Sequence, residues 1–131
     1  LKALPTRDAV LPAIMLLVAA GDGIISTLVR ALPQRFTYSD RIQNFATEKS
    51  QVILTQGKQE PEKLLLQLGF QDVAIKSIDE TDGLRITLAD ERIVHLRPSG
   101  NAPELRCYAE AENYLKASEC VTTSLNNIPR L

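Results

Sequence analysis

Apolar side chains recur at helical spacing along the first quarter of the chain. They would lie on one face of each of two helices separated by Gly21-Asp22-Gly23: Val10, Leu11, Ile14, Leu17 and Val18, then Ile24, Ile25, Leu28, Val29 and Leu32. Asp8 or Thr6 is the expected cap of the first helix, and Pro33 ends the second. We expect the run 9–20 to form a buried helix, since a membrane span needs roughly 20 apolar residues.

Two helices this apolar need a further surface to cover them. We therefore interpret residues 1–36 as the helical tail of a preceding α/β domain together with a hinge, placed near Pro33 to Ser39. Because the chain begins at Leu1 rather than Met, we expect it to be part of a longer protein. Residues 37–131 are predicted to form a second domain.

The next stretch combines a loosely alternating segment with two further helices. Residues 35–43 alternate weakly and are predicted to form an edge strand. Thr47 begins a predicted helix that runs to Gln56 and is ended by Gly57. Pro61 begins the next helix, with an apolar face at Leu64, Leu65 and Leu68 and a stop at Gly69.

From residue 72 the apolar period changes to two, which is typical of strands. Val73, Ile75 and Ser77 are predicted to share one face, and Asp82-Gly83 predicts a hairpin turn. Alternation continues through 84–88, 93–97 and 105–109, and a closing helix is predicted over 112–126. Its expected apolar face comprises Tyr114, Ala117, Val121 and Leu125.

The predicted fold class is therefore α+β. Residues 37–131 should form a four-to-five-stranded, mainly antiparallel sheet covered by helices, preceded by two helices from an α/β domain. The charge balance, 15 Lys and Arg against 16 Asp and Glu, argues against a general nucleic-acid-binding protein. The two cysteines, Cys107 and Cys120, lack metal-ligand spacing; buried thiols are favoured over a disulfide.

Candidate chemistry is concentrated in the loop after the strand that ends at Arg97. Arg97 and Arg106 lie at neighbouring strand ends, and each guanidinium offers a donor fork that matches a phosphate group. Ser99 adds a hydroxyl, Asn101 an amide donor, and Gly100 allows close approach of the backbone to an anion. The alternative is an ordinary hairpin loop whose arginines are solvated or paired with Glu104 and Glu110.

The segment 93–111 resembles the C-terminal phosphate-binding motif of the α-D-phosphohexomutases, which include phosphomannomutases and phosphoglucomutases. That motif reads Arg-Pro-Ser-Gly-Thr-Glu-Pro, then an Arg on the next strand and an acidic residue followed by Ala. Here Asn101 keeps a hydrogen-bond donor where the family usually has Thr, whereas Ala102 replaces the usual Glu. Leu4 to Ala20 resembles the helix that closes the family's third domain, and Phe36 to Phe45 resembles the hinge into its fourth. This variant of the motif is most similar to the one in bacterial phosphomannomutases.

The resemblance implies a C-terminal domain with a TATA-box-binding-protein-like fold. It also implies a four-domain cytoplasmic isomerase in which a phosphoserine and a magnesium ion, both held by domains absent from this chain, assist phosphoryl transfer. This chain would bind the phosphate of a hexose phosphate, such as mannose or glucose 1- or 6-phosphate, through Arg97, Ser99, Gly100, Asn101 and Arg106. It would hold no catalytic residue and no metal ligand, and would be inactive alone.

Several alternatives stay open at this point. The chain can be a stand-alone sugar-phosphate or anion-binding module, or a nucleic-acid or protein interaction domain, although no aromatic platform supports the latter. The expected partners are the hexose phosphate and the remaining domains of the same enzyme, without nucleic acid or membrane. His95 can act as a general acid or lie passively at the cleft rim. Thr6, Arg7 and Asp8 can border a sugar site or simply cap a helix.

Overall fold

The computed structural model describes residues 10–131, and the chain divides into two compact units between Gln34 and Arg35. The predictions for Leu4 to Asp8, including the helix caps, lie outside the described residues. The division falls two residues before the predicted domain boundary, and the strand that begins at Phe36 takes up part of the predicted hinge. The assignment of the first unit to a preceding α/β domain stays a prediction.

The first unit contains two helices, α1 (Val10–Ala20) and α2 (Ile25–Arg30). The prediction that α1 is buried is wrong for the described residues, because its large apolar side chains are exposed; Leu17 and Val18, for example, are 60% and 68% exposed. Two short helices cannot by themselves enclose apolar groups that point in all directions. No helix within residues 10–131 is long and apolar enough to cross a membrane.

The second unit contains five strands and three longer helices, as the sequence pattern predicted. The strands are β1 (Phe36–Gln43), β2 (Ile75–Asp79), β3 (Leu84–Leu88), β4 (Ile93–Pro98) and β5 (Glu104–Ala111). The helices are α3 (Thr47–Gln59), α4 (Pro61–Leu68) and α5 (Tyr114–Asn127), followed by a 3₁₀ turn (Ile128–Arg130).

All five strands form one antiparallel sheet in the order β1-β5-β4-β3-β2. β1 lies at an edge, as predicted, and pairs with β5 from Phe36↔Ala111 to Gln43↔Glu104. β4 pairs with β3 on one side and with β5 on the other, so the loop 99–103 joins two central strands. The α+β fold class and the antiparallel sheet are therefore confirmed.

The core lies on one face of this sheet. Alternate residues of the three central strands point to that face and are nearly inaccessible to solvent: Leu84, Ile86, Leu88, Val94, Leu96, Leu105, Cys107 and Ala109. α3, α4 and α5 cover them with a second apolar layer: Ile53, Leu54, Leu64, Leu65, Leu68, Cys120 and Val121. Each fully buried leucine contributes roughly 1.5–3 kcal/mol relative to exposure, so this one-sided burial determines which strand residues face outward.

Gly57 does not end α3 as predicted but lies inside it. A Cβ at this position would come within 2.3 Å of Leu64 Cδ2 and 2.8 Å of Leu84 Cδ2. Glycine is therefore present because α3 approaches α4 and β3 too closely for a side chain, which is a packing requirement and not a stop signal. The predicted stop at Gly69 is confirmed, since Gly69 adopts a φ of 99° after α4.

β2 departs from simple alternation. Its pairing with β3 shifts between Ile75 and Ser77, so Ile75 lies opposite Leu88 whereas Ser77 lies opposite Thr87. The extra residue turns Ser77 away from the core, and the prediction that it shares a face with Val73 and Ile75 is wrong. Val73 precedes the strand.

α5 presents a slightly different face from the predicted one. Ala117, Cys120, Val121 and Ser124 are buried, whereas Tyr114 is 58% exposed. Cys107 and Cys120 are free and buried, so the alternative of a disulfide is not found. Burial raises the pKa of the Cys107 thiol to about 12, which keeps it protonated and unreactive at neutral pH.

The β2–β3 turn passes very close to the backbone of β4 at Gly83. Gly83 has a φ of 93°, and a Cβ there would come within 2.3 Å of the carbonyl oxygen of Leu96. A φ of this size strains any residue that has a side chain, and the close carbonyl leaves no room for a Cβ.

We expect Gly83→Ala to lower the free energy of unfolding by roughly 1–3 kcal/mol, because it combines backbone strain with a clash against a neighbouring strand. Gly100→Ala is the matched control: a Cβ at Gly100 would meet no atom within 4 Å. Urea unfolding monitored by circular dichroism measures both. Equal stability of the two variants would contradict the steric interpretation.

Candidate functional site

The face of the sheet opposite the helices carries polar and charged side chains. In β5 the outward residues are Glu104, Arg106, Tyr108 and Glu110, which alternate with buried Leu105, Cys107, Ala109 and Ala111. His95 and Arg97 of β4 point the same way, because they pair with Tyr108 and Arg106. The prediction that Arg106, Tyr108 and Glu110 face away from the apolar side is confirmed.

Three arginines form one row across this open face. Arg106 pairs directly with Arg97 on one side and with Arg41 on the other. Glu104 lies near two of them, with its carboxylate 3.6 Å from Arg41 Nε and 3.5 Å from an Arg106 terminal nitrogen. Asp82 pairs with Arg97 at 2.9 Å. The row is therefore only partly neutralised, since two carboxylates serve three guanidinium groups.

The loop 99–103 is held in place by backbone hydrogen bonds at both ends. The N–H of Ser99 donates to the carbonyl of Glu104 at 2.9 Å, and the N–H of Glu104 donates to that of Ala102 at 2.8 Å. The N–H of Phe45 donates to the carbonyl of Pro103 at 2.8 Å, which ties the loop to the segment before α3. Within the loop, Asn101 N–H donates weakly to Ser99 Oγ at 3.4 Å.

An open cleft of about 500 Å³ lies against this loop. It is lined by Thr47, Gln51, Asp82, Arg97, Pro98, Ser99, Gly100, Asn101, Ala102 and Pro103. Four of the predicted site residues, Arg97, Ser99, Gly100 and Asn101, are thus brought together. Gly100 has open space where a side chain would stand, so the backbone is accessible to a ligand there.

Arg106, the fifth predicted site residue, lines a neighbouring depression instead. That depression contains Ser39, Asp40, Arg41 and Tyr108. The Nε atom of Arg106 is fully covered and has no hydrogen-bond partner among the described residues. The side chains of Tyr108 and Glu104 raise the pKa of Arg106, which therefore stays charged at every pH of interest.

His95 lies on β4 beside the β2–β3 turn. Its Nε2 contacts the backbone carbonyl of Asp82, and its ring packs against Tyr108 with centroids 5.5 Å apart. The first contact attaches the turn to β4, and the second joins two paired strands of the sheet. His95 is not among the residues that line the loop cleft.

Sequence reasoning missed Thr47, Gln51 and Asp82, which come from a helix and a turn far from the loop in sequence. Thr47 and Gln51 are four residues apart at the start of α3, so they share one face of that helix. The N-cap residue Ala46 makes no side-chain cap, so the first backbone N–H groups of α3 receive no capping acceptor from it. An uncapped helix start was the signal that could have pointed to these positions.

No group of three or more His, Cys, Asp or Glu side chains that could hold a metal ion occurs within residues 10–131. The described residues therefore do not fit a magnesium site.

A comparison with protein families supports the resemblance suggested by the loop. Residues 46–123 match the model of the phosphoglucomutase/phosphomannomutase C-terminal domain. The chain belongs to this phosphohexomutase family. The match begins just before α3 and ends within α5, so it includes β2 to β5 and the loop, whereas β1 lies before it.

Individual relatives extend the phosphohexomutase similarity over most of the chain. A phosphomannomutase of Salmonella muenchen is 52% identical over 128 residues, which are 98% of this chain and 27% of that protein. A phosphomannomutase of Sinorhizobium fredii is 40% identical over 118 residues, covering 86% of this chain and 24% of that protein.

A third relative is a probable phosphoglucosamine mutase of Methanosphaera stadtmanae. It is 31% identical over 117 residues, which are 82% of this chain and 26% of that protein. The chain thus spans about a quarter of the length of the curated relatives it matches.

We expect Arg97→Ala and Arg106→Ala each to change the melting temperature by less than about 3 °C, because both side chains lie on the open face and contribute no core packing. Differential scanning calorimetry measures this, with Leu105→Ala as the destabilised comparison, since Leu105 is fully buried. Loss of folding in either arginine variant would show that the row is structural.

Proposed function

We propose that the chain is the phosphate-binding part of a phosphomannomutase/phosphoglucomutase-type isomerase. Arg97, Ser99, Gly100, Asn101 and Arg106 would hold the phosphate of a hexose phosphate while another part of the enzyme transfers a phosphoryl group. The observation that carries this proposal is the loop cleft, in which a guanidinium, a hydroxyl, an amide and an open glycine backbone line the same space.

The chemistry of these groups suits a phosphate dianion. A guanidinium presents parallel N–H donors to two phosphate oxygens, and charged hydrogen bonds of this kind contribute roughly 1.5–3 kcal/mol each when water is excluded. The side chains of Thr47 and Gln51, at the uncapped start of α3, add further polar groups to the lining of the cleft. Asn101 supplies an amide donor, and Ala102 adds no carboxylate to repel the ligand.

Arg106, on the next strand, would also bind the phosphate. It is the direct cross-strand partner of Arg97, and the two outward side chains therefore start from adjacent positions on one face. In this structure its side chain lies in the neighbouring depression, so contact with a phosphate in the cleft would require it to change rotamer. Its charge would in any case strengthen the positive potential there.

The parts of the reaction that this chain does not carry are assigned to the remainder of a longer enzyme. The proposed phosphoryl donor is a phosphoserine, and the proposed cofactor is magnesium bound outside this chain. Hexose phosphates such as mannose or glucose 1- or 6-phosphate are the proposed substrates, and the cytoplasm is the proposed location. Binding of the phosphate by this chain would favour closure of the domain over the sugar phosphate.

Phosphate binding is tested by titrating the ¹⁵N-labelled chain with inorganic phosphate and with mannose 6-phosphate. We expect amide shifts at Gly100 and Asn101 that both ligands produce and that unphosphorylated mannose and chloride do not. Arg97→Ala should abolish them. Arg85→Ala is the matched control, because Arg85 pairs with Glu110 on the same face but does not line the cleft. Shifts elsewhere without a response at residues 99–101 would refute the assignment.

The isomerase assignment is tested in the full-length protein. With magnesium and a sugar bisphosphate activator, it should convert mannose 1-phosphate or glucose 1-phosphate to the 6-phosphate, whereas the 131-residue chain alone should not. In the full-length enzyme, Arg97→Ala and Arg106→Ala should each raise KM. Phosphorylation of the enzyme should change little, because both arginines act on ligand binding. Turnover by the isolated chain would contradict the proposal that the phosphoryl donor and the magnesium site lie outside it.

A further inference from the structure

We propose that Asp82 is a positioning residue that orients the guanidinium of Arg97 towards the anion in the loop cleft. This inference rests on the proposed phosphate-binding function and adds a residue from a different part of the chain. Asp82 belongs to the β2–β3 turn and lies 15 residues before Arg97, yet it lines the same cleft. Asp82 would affect phosphate binding through Arg97 and would not need to contact the phosphate itself.

The turn that carries Asp82 is fixed against β4 by two contacts. Gly83 approaches the carbonyl of Leu96 so closely that no Cβ fits between them, and it adopts a φ of 93°. The carbonyl of Asp82 itself contacts His95 Nε2. The Asp82 backbone is therefore held beside the last residues of β4, from where its carboxylate reaches Arg97.

The contact between the two side chains leaves the binding end of the guanidinium available. Arg97 Nε donates to Asp82 Oδ1 at 2.9 Å. Because Nε lies on one edge of the planar guanidinium, a bond there fixes the plane while the edge formed by the two terminal nitrogens still offers two parallel N–H donors. Phosphate needs those two donors, so Asp82 and the anion do not compete for the same edge.

The arrangement of charges on the open face explains why Arg97 needs a hydrogen-bond acceptor to keep its orientation. Arg97 stands directly opposite Arg106, and like charges in directly paired positions repel each other. Glu104 lies near Arg106 and Arg41, whereas Asp82 is the acidic partner of Arg97 among the ion pairs of the described residues. Without a hydrogen-bond acceptor for its Nε at this position, we expect Arg97 to sample orientations directed away from Arg106 and from the cleft.

Comparing two substitutions separates positioning from simple charge repulsion. Asp82→Asn keeps an oxygen acceptor for Arg97 Nε but removes the negative charge, so inorganic phosphate should bind at least as tightly as in the unchanged chain. Asp82→Ala removes the acceptor as well, and phosphate binding should weaken about threefold, because a long side chain must then be ordered at the moment of binding. The dissociation constant is measured from the amide shifts of Gly100 and Asn101.

The Nε–H resonance of Arg97 gives a readout that a purely structural turn would not change. In the unchanged chain and in Asp82→Asn, this resonance should be resolved from those of other arginines. In Asp82→Ala, its chemical shift should move to that of solvated arginines. Glu80→Ala is the matched control, because Glu80 is in the same turn but pairs with Lys58 at 3.2 Å. It should change neither the resonance nor phosphate affinity, and circular dichroism should show all variants folded.

The outcomes distinguish this inference from the proposed function. If the unchanged chain shows no response to phosphate at residues 99–101, the phosphate-binding function and this inference both fail. If it binds phosphate and Asp82→Ala binds equally or more tightly, only the positioning role is overturned, and Asp82 acts merely as a nearby negative charge. Loss of affinity in Asp82→Ala that Asp82→Asn does not share supports the positioning role.

Discussion

Burial of one face of the five-stranded sheet under three helices is the constraint on which the rest of the structure depends. Because side chains alternate between the two faces of a strand, placing Leu105, Cys107 and Ala109 in the core forces Arg106 and Tyr108 outward. The same packing sends His95 and Arg97 of the next strand to the open face. The candidate site is thus a consequence of core formation and not a separate feature added to it.

The open face has to accommodate a row of positive charges. Arg41, Arg106 and Arg97 occupy directly paired positions on three neighbouring strands, an arrangement that like-charge repulsion disfavours. Glu104 and Asp82 relieve it only in part, so the face retains the capacity to attract an anion. Exposed ion pairs of this kind contribute less than about 1 kcal/mol to stability, which makes a functional reason for the row more convincing than a structural one.

Membership of the phosphohexomutase family gives the open face its context. Arg97 belongs to the arginine row and also lines the loop cleft, and that cleft is open to solvent in this chain by itself. Charged hydrogen bonds strengthen when water is displaced. Under the proposed function, other domains that cover this face would increase the affinity for phosphate by excluding water, without any change in the loop.

Much of the fold and part of the site followed from local sequence features. The period-two segments, the Asp82-Gly83 turn and the helix stop at Gly69 are decided by neighbouring residues, and all three were predicted. The donor-rich loop after Arg97 was also recognisable, because its residues are contiguous. The family resemblance rested on the same contiguous motif, and the match over residues 46–123 confirmed it.

Other features were decided only by contacts between distant segments. Gly57 stays within a helix because α4 and β3 approach it, and the shifted pairing at Ser77 depends on the partner strand. Asp82, Thr47 and Gln51 enter the cleft, and Arg106 lies in a neighbouring depression, for the same reason. Sequence alone determined the type and order of the helices and strands in the second unit and the donor groups of the loop. The tertiary structure decided where α3 ends and which side chains meet, since packing distances between non-adjacent elements leave no local pattern.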